Sequence, residues 1–150
     1  MDNTIWYLNT DLDLVSKSDL MALAAAFKAN GVFALYVTHA PDGLWYARFE
    51  TDKQHTEPEP NIAKLVAVVE SLGKANRATW LSCVKREFNI GYDCGDEPWE
   101  FNQGLPAKLL GRLAAIGGSL RITLYPDREP SVAKARQQKK ATKIKKRRKK

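Results

Sequence analysis

The chain has 150 residues, 44% of them hydrophobic and 27% charged, which excludes wholesale disorder and suits one domain with a tail. Its formal charge of +7 is unevenly placed: residues 131–150 hold 11 of the 24 Lys/Arg and no Asp/Glu, which leaves 13 basic against 17 acidic residues in 1–130, a body at −4 and a tail at +11. No stretch approaches the ~20 apolar residues of a membrane-spanning helix, so a membrane partner is not expected.

Residues 5–14 alternate. Trp6, Leu8, Leu12 and Leu14 share one parity and Tyr7, Asn9, Asp11 and Asp13 the other, the period of a half-exposed strand. Ser16 or Ser18 is placed to cap the next helix, with Asp19 in its first turn, where the helix dipole favours an anion. Leu20, Leu23, Ala24 and Phe27 form its apolar face, and Asn30-Gly31 stops it. Residues 32–39 and 44–51 read as two strands of a hairpin across Pro41-Asp42-Gly43. After a polar connector at 52–60, Ile62, Leu65, Val66, Val69 and Leu72 make a helical stripe that Gly73 interrupts. Residues 76–84 then read as a short helix with Trp80 and Val84 inward. Residues 86–93 form a strand, 94–103 a loop, and 105–116 a helix with Pro106 in its first turn and Leu109, Leu110, Leu113 and Ile116 inward. Gly117-Gly118 stops that helix, and 120–125 is the last strand.

The order β-α-β-β-α-β-α-β predicts an α+β fold. Its first six elements match the split β-α-β pattern of a ferredoxin-like sandwich, with a helix and strand appended and a mainly antiparallel sheet. One sheet face is expected to meet water, which suits the acids of the first strand. The domain is expected over 1–130, and the basic tail over 131–150 is expected to be disordered in isolation.

Motifs that carry chemistry are mostly missing. The chain has no P-loop, no G-x-G-x-x-G, no G-x-S-x-G and no H-E-x-x-H. His39 and His55 have no ligand at metal spacing and read as surface residues. Cys83 and Cys94 make neither a disulfide framework nor a metal site and read as reduced thiols. The N-terminus lacks the charged and apolar segments of a secretory signal. No catalytic residue, metal or cofactor is expected.

The loop at 92–103 is the unusual constellation of the body, with four carboxylates and two large aromatics between a strand and a helix. Two readings stand. Asp93, Asp96, Glu97, Trp99 and Phe101 form a protein-binding loop with the aromatics as anchors and the acids as its rim or as hard-cation ligands, or Trp99 and Phe101 tuck into the core while the acids stay solvated. Asp11 and Asp13 lie at i, i+2 and point the same way, as a catalytic carboxylate pair or as charges on a solvated face.

Lys134, Arg136, Lys139, Lys140, Lys143, Lys145, Lys146, Arg147, Arg148, Lys149 and Lys150 interleave with Ala, Gln and Thr and with no aromatic residue. Polycations bind polyanions by releasing condensed counterions, without reading bases. Lys139 to Lys150 are therefore expected to make a sequence-independent contact to nucleic acid or the ribosome, the alternative being a solubility tail.

The segment GLPAKLLGRLAAIGGSLRITLY at 104–125, with FNIGYD at 88–93, resembles a group of small bacterial α+β domains of unknown function. There a helix stops at small residues and leads into a final strand ending in Tyr. Some domains of this sort resemble immunity proteins of toxin systems, which act by binding. The resemblance implies no active-site residue.

The sequence thus reads as a bacterial-type, non-enzymatic binding protein. Its tail gives nucleic-acid affinity and its domain meets a protein partner. It is expected in the cytoplasm at nucleoid or ribosome, or in the nucleus of a eukaryotic host. The alternatives are a toxin-neutralising, immunity-like protein with an incidental tail, and a small hydrolase using Asp11, Asp13, Asp93 or Asp96.

Overall fold

The computed structural model describes residues 3–126. Among them run β1 (Trp6–Ser16), α1 (Met21–Ala29), β2 (Val32–His39), β3 (Trp45–Thr51), α2 (Pro58–Glu70), α3 (Lys74–Ser82), β4 (Lys85–Cys94), α4 (Ala107–Ala115) and β5 (Ser119–Pro126). The strands form one mixed sheet in the order β2-β3-β1-β4-β5. β1 is antiparallel to β3 and β4, and β2 to β3, whereas β5 runs parallel to β4. Connections explain the difference. Gly43, at φ +83°, and Asp42, whose Oδ1 accepts the Leu44 N–H at 2.9 Å, turn β2 straight back into β3. α4 instead carries the chain back along the sheet, as a parallel pair requires. The expected α+β class and mainly antiparallel sheet are present. The predicted domain boundary at 130 and the tail lie outside the described residues.

The four helices pack on one sheet face. Leu12 and Leu14 of β1, Phe49 of β3, and Phe88 and Ile90 of β4 meet Phe27 of α1, Ile62, Leu65 and Val66 of α2 and Trp80 of α3, all at most 2% exposed. Each such buried side chain contributes roughly 1.5–3 kcal/mol. Trp80 also donates Nε1–H to the Ile116 carbonyl at 2.8 Å, which ties α3 to the end of α4. Arg86 joins the same helix ends. Its Nη1 donates to the carbonyls of Trp80, Leu81 and Cys83, and its Nε to that of Gly117. It thereby satisfies carbonyls that a helix terminus leaves open.

Several local expectations need correction. The alternation of β1 breaks at a bulge between Tyr7 and Asn9. An extra residue flips the parity, so Tyr7 faces the core against Tyr92, while Trp6 and Leu8 are exposed. Neither serine caps α1: Ser16 Oγ accepts the Ser18 N–H, and Asp19 Oδ1 accepts the Met21 N–H at 2.7 Å. α3 stops at Ser82, and Val84 swings outward, its N–H donating to the Val15 carbonyl at the head of β4. Leu110 is exposed because α4 turns only Leu109, Leu113 and Ile116 inward.

Candidate functional site

The sheet face away from the helices carries a lattice of charges. Arg48 on β3 donates Nε–H to Asp13 Oδ1 at 2.7 Å and Nη2–H to Oδ2 at 3.2 Å, and lies 3.7 Å from Asp11. Arg121 on β5 grips Glu87 on β4 in the same two-pronged way, at 2.6 and 3.1 Å, and Lys85 joins at 3.2 Å. Thr123 donates to Asn89 between these strands at 2.7 Å. Such forked pairs fix cross-strand register as well as charge. The Arg121 guanidinium holds the Glu87 carboxyl below its usual range.

Asp11 differs from its neighbours. It sits opposite Asn89 and beside the Leu12–Phe49 pair, which places it across from Glu50. Burial, together with the hydrogen bond and charge of Glu50, raises its carboxyl to about 7 against the opposing pull of Arg48. Asp11 therefore holds its proton to near neutrality. Sequence reasoning paired Asp11 with Asp13 and missed Glu50, which becomes visible only once β1 and β3 are in register.

Of the four acids of the hydrolase reading, Asp11 and Asp13 meet at Arg48 on the open sheet face, and the other two are held elsewhere. Asp13 belongs to Arg48. Asp93 accepts Trp6 Nε1–H at 3.0 Å, and Asp96 accepts Asn3 Nδ2–H at 2.8 Å. Asp93 lies four positions along β4 from the partner of Asp11, about 13 Å at the usual strand rise.

The loop after β4 divides the two readings of its aromatics. Trp99 is 100% exposed, so it does not enter the core. Phe101 packs edge-on against Tyr92 with ring centroids 5.0 Å apart and is 38% exposed. Asp96 and Glu97 are exposed, and their N–H groups both donate to the Asn3 carbonyl, which fastens the loop base to the start of the chain. The loop thus presents one bare indole among Asp96, Glu97 and Glu100. The tail residues Lys139, Lys140, Lys143, Lys145, Lys146, Arg147, Arg148, Lys149 and Lys150 lie outside the described residues.

A third feature was missed as a site. His55, in the connector between β3 and α2, is half-buried, and its Nε2 is buried with no hydrogen-bond partner among the described residues. It lines two cavities. One, about 460 Å³, is bounded by Asn30, Gly31, Thr51, Asp52, Lys53 and Lys64. The other, about 240 Å³, is bounded by Trp6, Tyr7, Leu8, Gln54 and Thr56. Neither is lined by Asp11, Asp13, Asp93 or Asp96. His39, by contrast, stacks on Trp45 at 4.9 Å.

No family model, curated protein or solved structure matches this chain. What it does must be read from these side chains alone. Both cysteines are free, Cys83 buried and Cys94 half-buried. Among the described residues no group of three or more His, Cys, Asp or Glu is placed to hold a metal, and no helix is long and apolar enough to cross a membrane.

Proposed function

We propose that this is a binding protein rather than an enzyme, with a cationic tail that engages nucleic acid or the ribosome without sequence preference and a domain that meets a protein partner. The observation that carries the reading is the partition of charge, with 11 basic and no acidic residues in 131–150 while 1–130 is net acidic. Counterion release makes such a tail a strong salt-dependent ligand for phosphates. The partner reading rests on Trp99, wholly exposed among acids, where buried aromatics commonly anchor protein interfaces. On this proposal the protein resides where its polyanion does, at nucleoid or ribosome.

We read the first four strands, in the order β2-β3-β1-β4, as a ferredoxin-like split β-α-β sheet with α4 and β5 added at one edge. The antiparallel pairings of β1 with β3 and β4 support this. The acidic loop also favours a second reading, that of an immunity-like protein whose carboxylates cover the cationic site of a toxin. A co-purifying small basic protein lost on Trp99→Ala is its expected signature.

The test of the tail uses the full chain and a variant with the nine basic residues from Lys139 to Lys150 replaced by Gln. The parent is retained on duplex DNA, and if about six phosphates are engaged, log K falls with log[salt] at a slope near −5. The variant elutes early with a slope near zero. Equal retention of the two removes the tail from the function.

A further inference from the structure

The geometry points to a nucleotide-binding cleft in the domain itself, with the base held against Trp6 and the phosphate held by Lys53 and Lys64 on the other side of His55. This deepens the nucleic-acid reading by adding a contact that recognises a nucleotide rather than charge alone.

Three observations converge on it. The first is the division of labour between two cavities that share one wall. The larger carries the cations Lys53 and Lys64 with Asn30 and Thr51, and the smaller is lined by Trp6, Tyr7 and Leu8. A nucleotide has the same two parts, a dianionic phosphate and a flat apolar ring. The larger, at about 460 Å³, lies in the range of small-ligand sites, and the smaller adds about 240 Å³ beside it. Second, the indole is already positioned. Trp6 is 59% exposed, yet its Nε1–H is held by Asp93 at 3.0 Å, so stacking costs little ordering. Third, the shared imidazole has an unmet need, because Nε2 of His55 is buried without a partner. A ligand group that reached it would supply the missing bond.

The surroundings fit this occupant. Gln54 and Thr56 offer donors and acceptors for a base edge beside Trp6. Asp52 is the one anion on the larger lining, and its carboxylate is turned against Gly31, where an added Cβ would lie 3.0 Å from Oδ2. With two lysines against one aspartate, that cavity keeps a net positive charge. The open sheet face has aromatic residues too, Phe33 and Tyr36, but Asp11, Asp13, Glu50 and Glu87 share it and repel phosphate.

The ligand chemistry has two sources, a free mononucleotide or the end of a single strand. The experiment titrates the full-length protein with adenosine monophosphate, adenosine and inorganic phosphate at about 0.3 M salt, where tail–phosphate attraction is weak. Affinity is read by calorimetry and contact by the Trp6 indole N–H resonance. Trp6, Lys53 and Lys64 are all exposed, so their variants keep the fold. Lys53→Ala with Lys64→Ala weakens adenosine monophosphate about tenfold and abolishes phosphate binding. Trp6→Ala weakens adenosine monophosphate and adenosine and leaves phosphate unchanged. A mononucleotide that fails to shift Trp6, or binds the parent and both variants equally, overturns the cleft.

The tail variant keeps its mononucleotide affinity even if it loses duplex DNA, so the two proposals fail separately. If that variant loses the mononucleotide as well, the cleft is not the site. In the same variant, a phosphorylated single strand that binds more tightly than the mononucleotide identifies a strand end as the ligand. Equal affinities identify a free nucleotide.

Discussion

Asp11 shows how one residue reports the register of two strands. Its carboxyl stands at about 7 in the fold, raised from an ordinary value of 3.8 by burial and by Glu50. Between about pH 4 and 7 the folded chain holds a proton that the unfolded chain has released. Stability therefore falls as pH rises through that window, and the full cost is present above it. Arg48 softens the cost, and solvent reaches this face, so on the order of 1 kcal/mol is expected rather than the full shift. Asp11→Asn removes the titrating group and leaves Arg48 its bond to Asp13. The variant should unfold at higher urea than the parent at about pH 8 and at nearly the same urea at about pH 4. A difference that does not change with pH would show that the Asp11 carboxyl is not raised in the fold.

At the scale of the element, the bulge in β1 and the first half of α2 belong together. Asn61 on α2 is fully buried and spends its amide on this strand. Its Nδ2 donates to Tyr7 Oη at 2.7 Å and Asn9 Oδ1 at 2.9 Å, and its Oδ1 accepts from Thr51 at 3.0 Å. Tyr7 and Thr10 complete the chain at 2.8 Å. Tyr7 and Asn9, two residues apart on one side of the strand, reach the same amide across the bulge. Asn61→Ala strands these groups in the core and should cost about 2–3 kcal/mol in urea melts. Asn89→Ala, whose one side-chain bond is to Thr123, should cost less than that, since the half-buried Thr123 hydroxyl keeps some access to water.

This network also marks where sequence reading stops. Apolar period gave α2, β3, β4 and α4 to within a few residues, because Ile62, Leu65, Phe49, Phe88 and Leu113 are buried by their own spacing. The bulge is invisible to period. It is stabilised by an asparagine 52 residues away from Asn9, and no local pattern records that pairing. Trp6 and Leu8 were assigned inward for the same reason, which hid the smaller cavity. His55 looked like a surface histidine because a connector carries no period that predicts burial. Asp96, Glu97 and Trp99 stood out as a loop from composition alone, but only the fold shows that the indole is bare.

On the scale of the whole molecule, the separation of charge sets body against tail. A −4 domain joined to a +11 segment attracts it, and phosphates must compete with the domain's own carboxylates for the same lysines. The exposed acids nearest a proposed interface are Asp96, Glu97 and Glu100, around Trp99. Their conversion to Asn and Gln changes no core contact, and of their side-chain bonds it touches only the exposed pairs with Asn3 and Asn102. The triple variant should bind duplex DNA about twofold to threefold more tightly than the parent at about 50 mM salt, because a local competitor is gone. At about 0.3 M salt the two should converge, since the screening length then falls to roughly 5–6 Å. The same variant should lose capture of a basic protein partner, which needs those carboxylates as ligands. Fluorescence anisotropy with labelled duplex across the salt series reads the first effect, and pull-down reads the second. A tighter grip on DNA with unchanged partner binding would leave the loop acids as a brake on the tail and move the protein interface elsewhere.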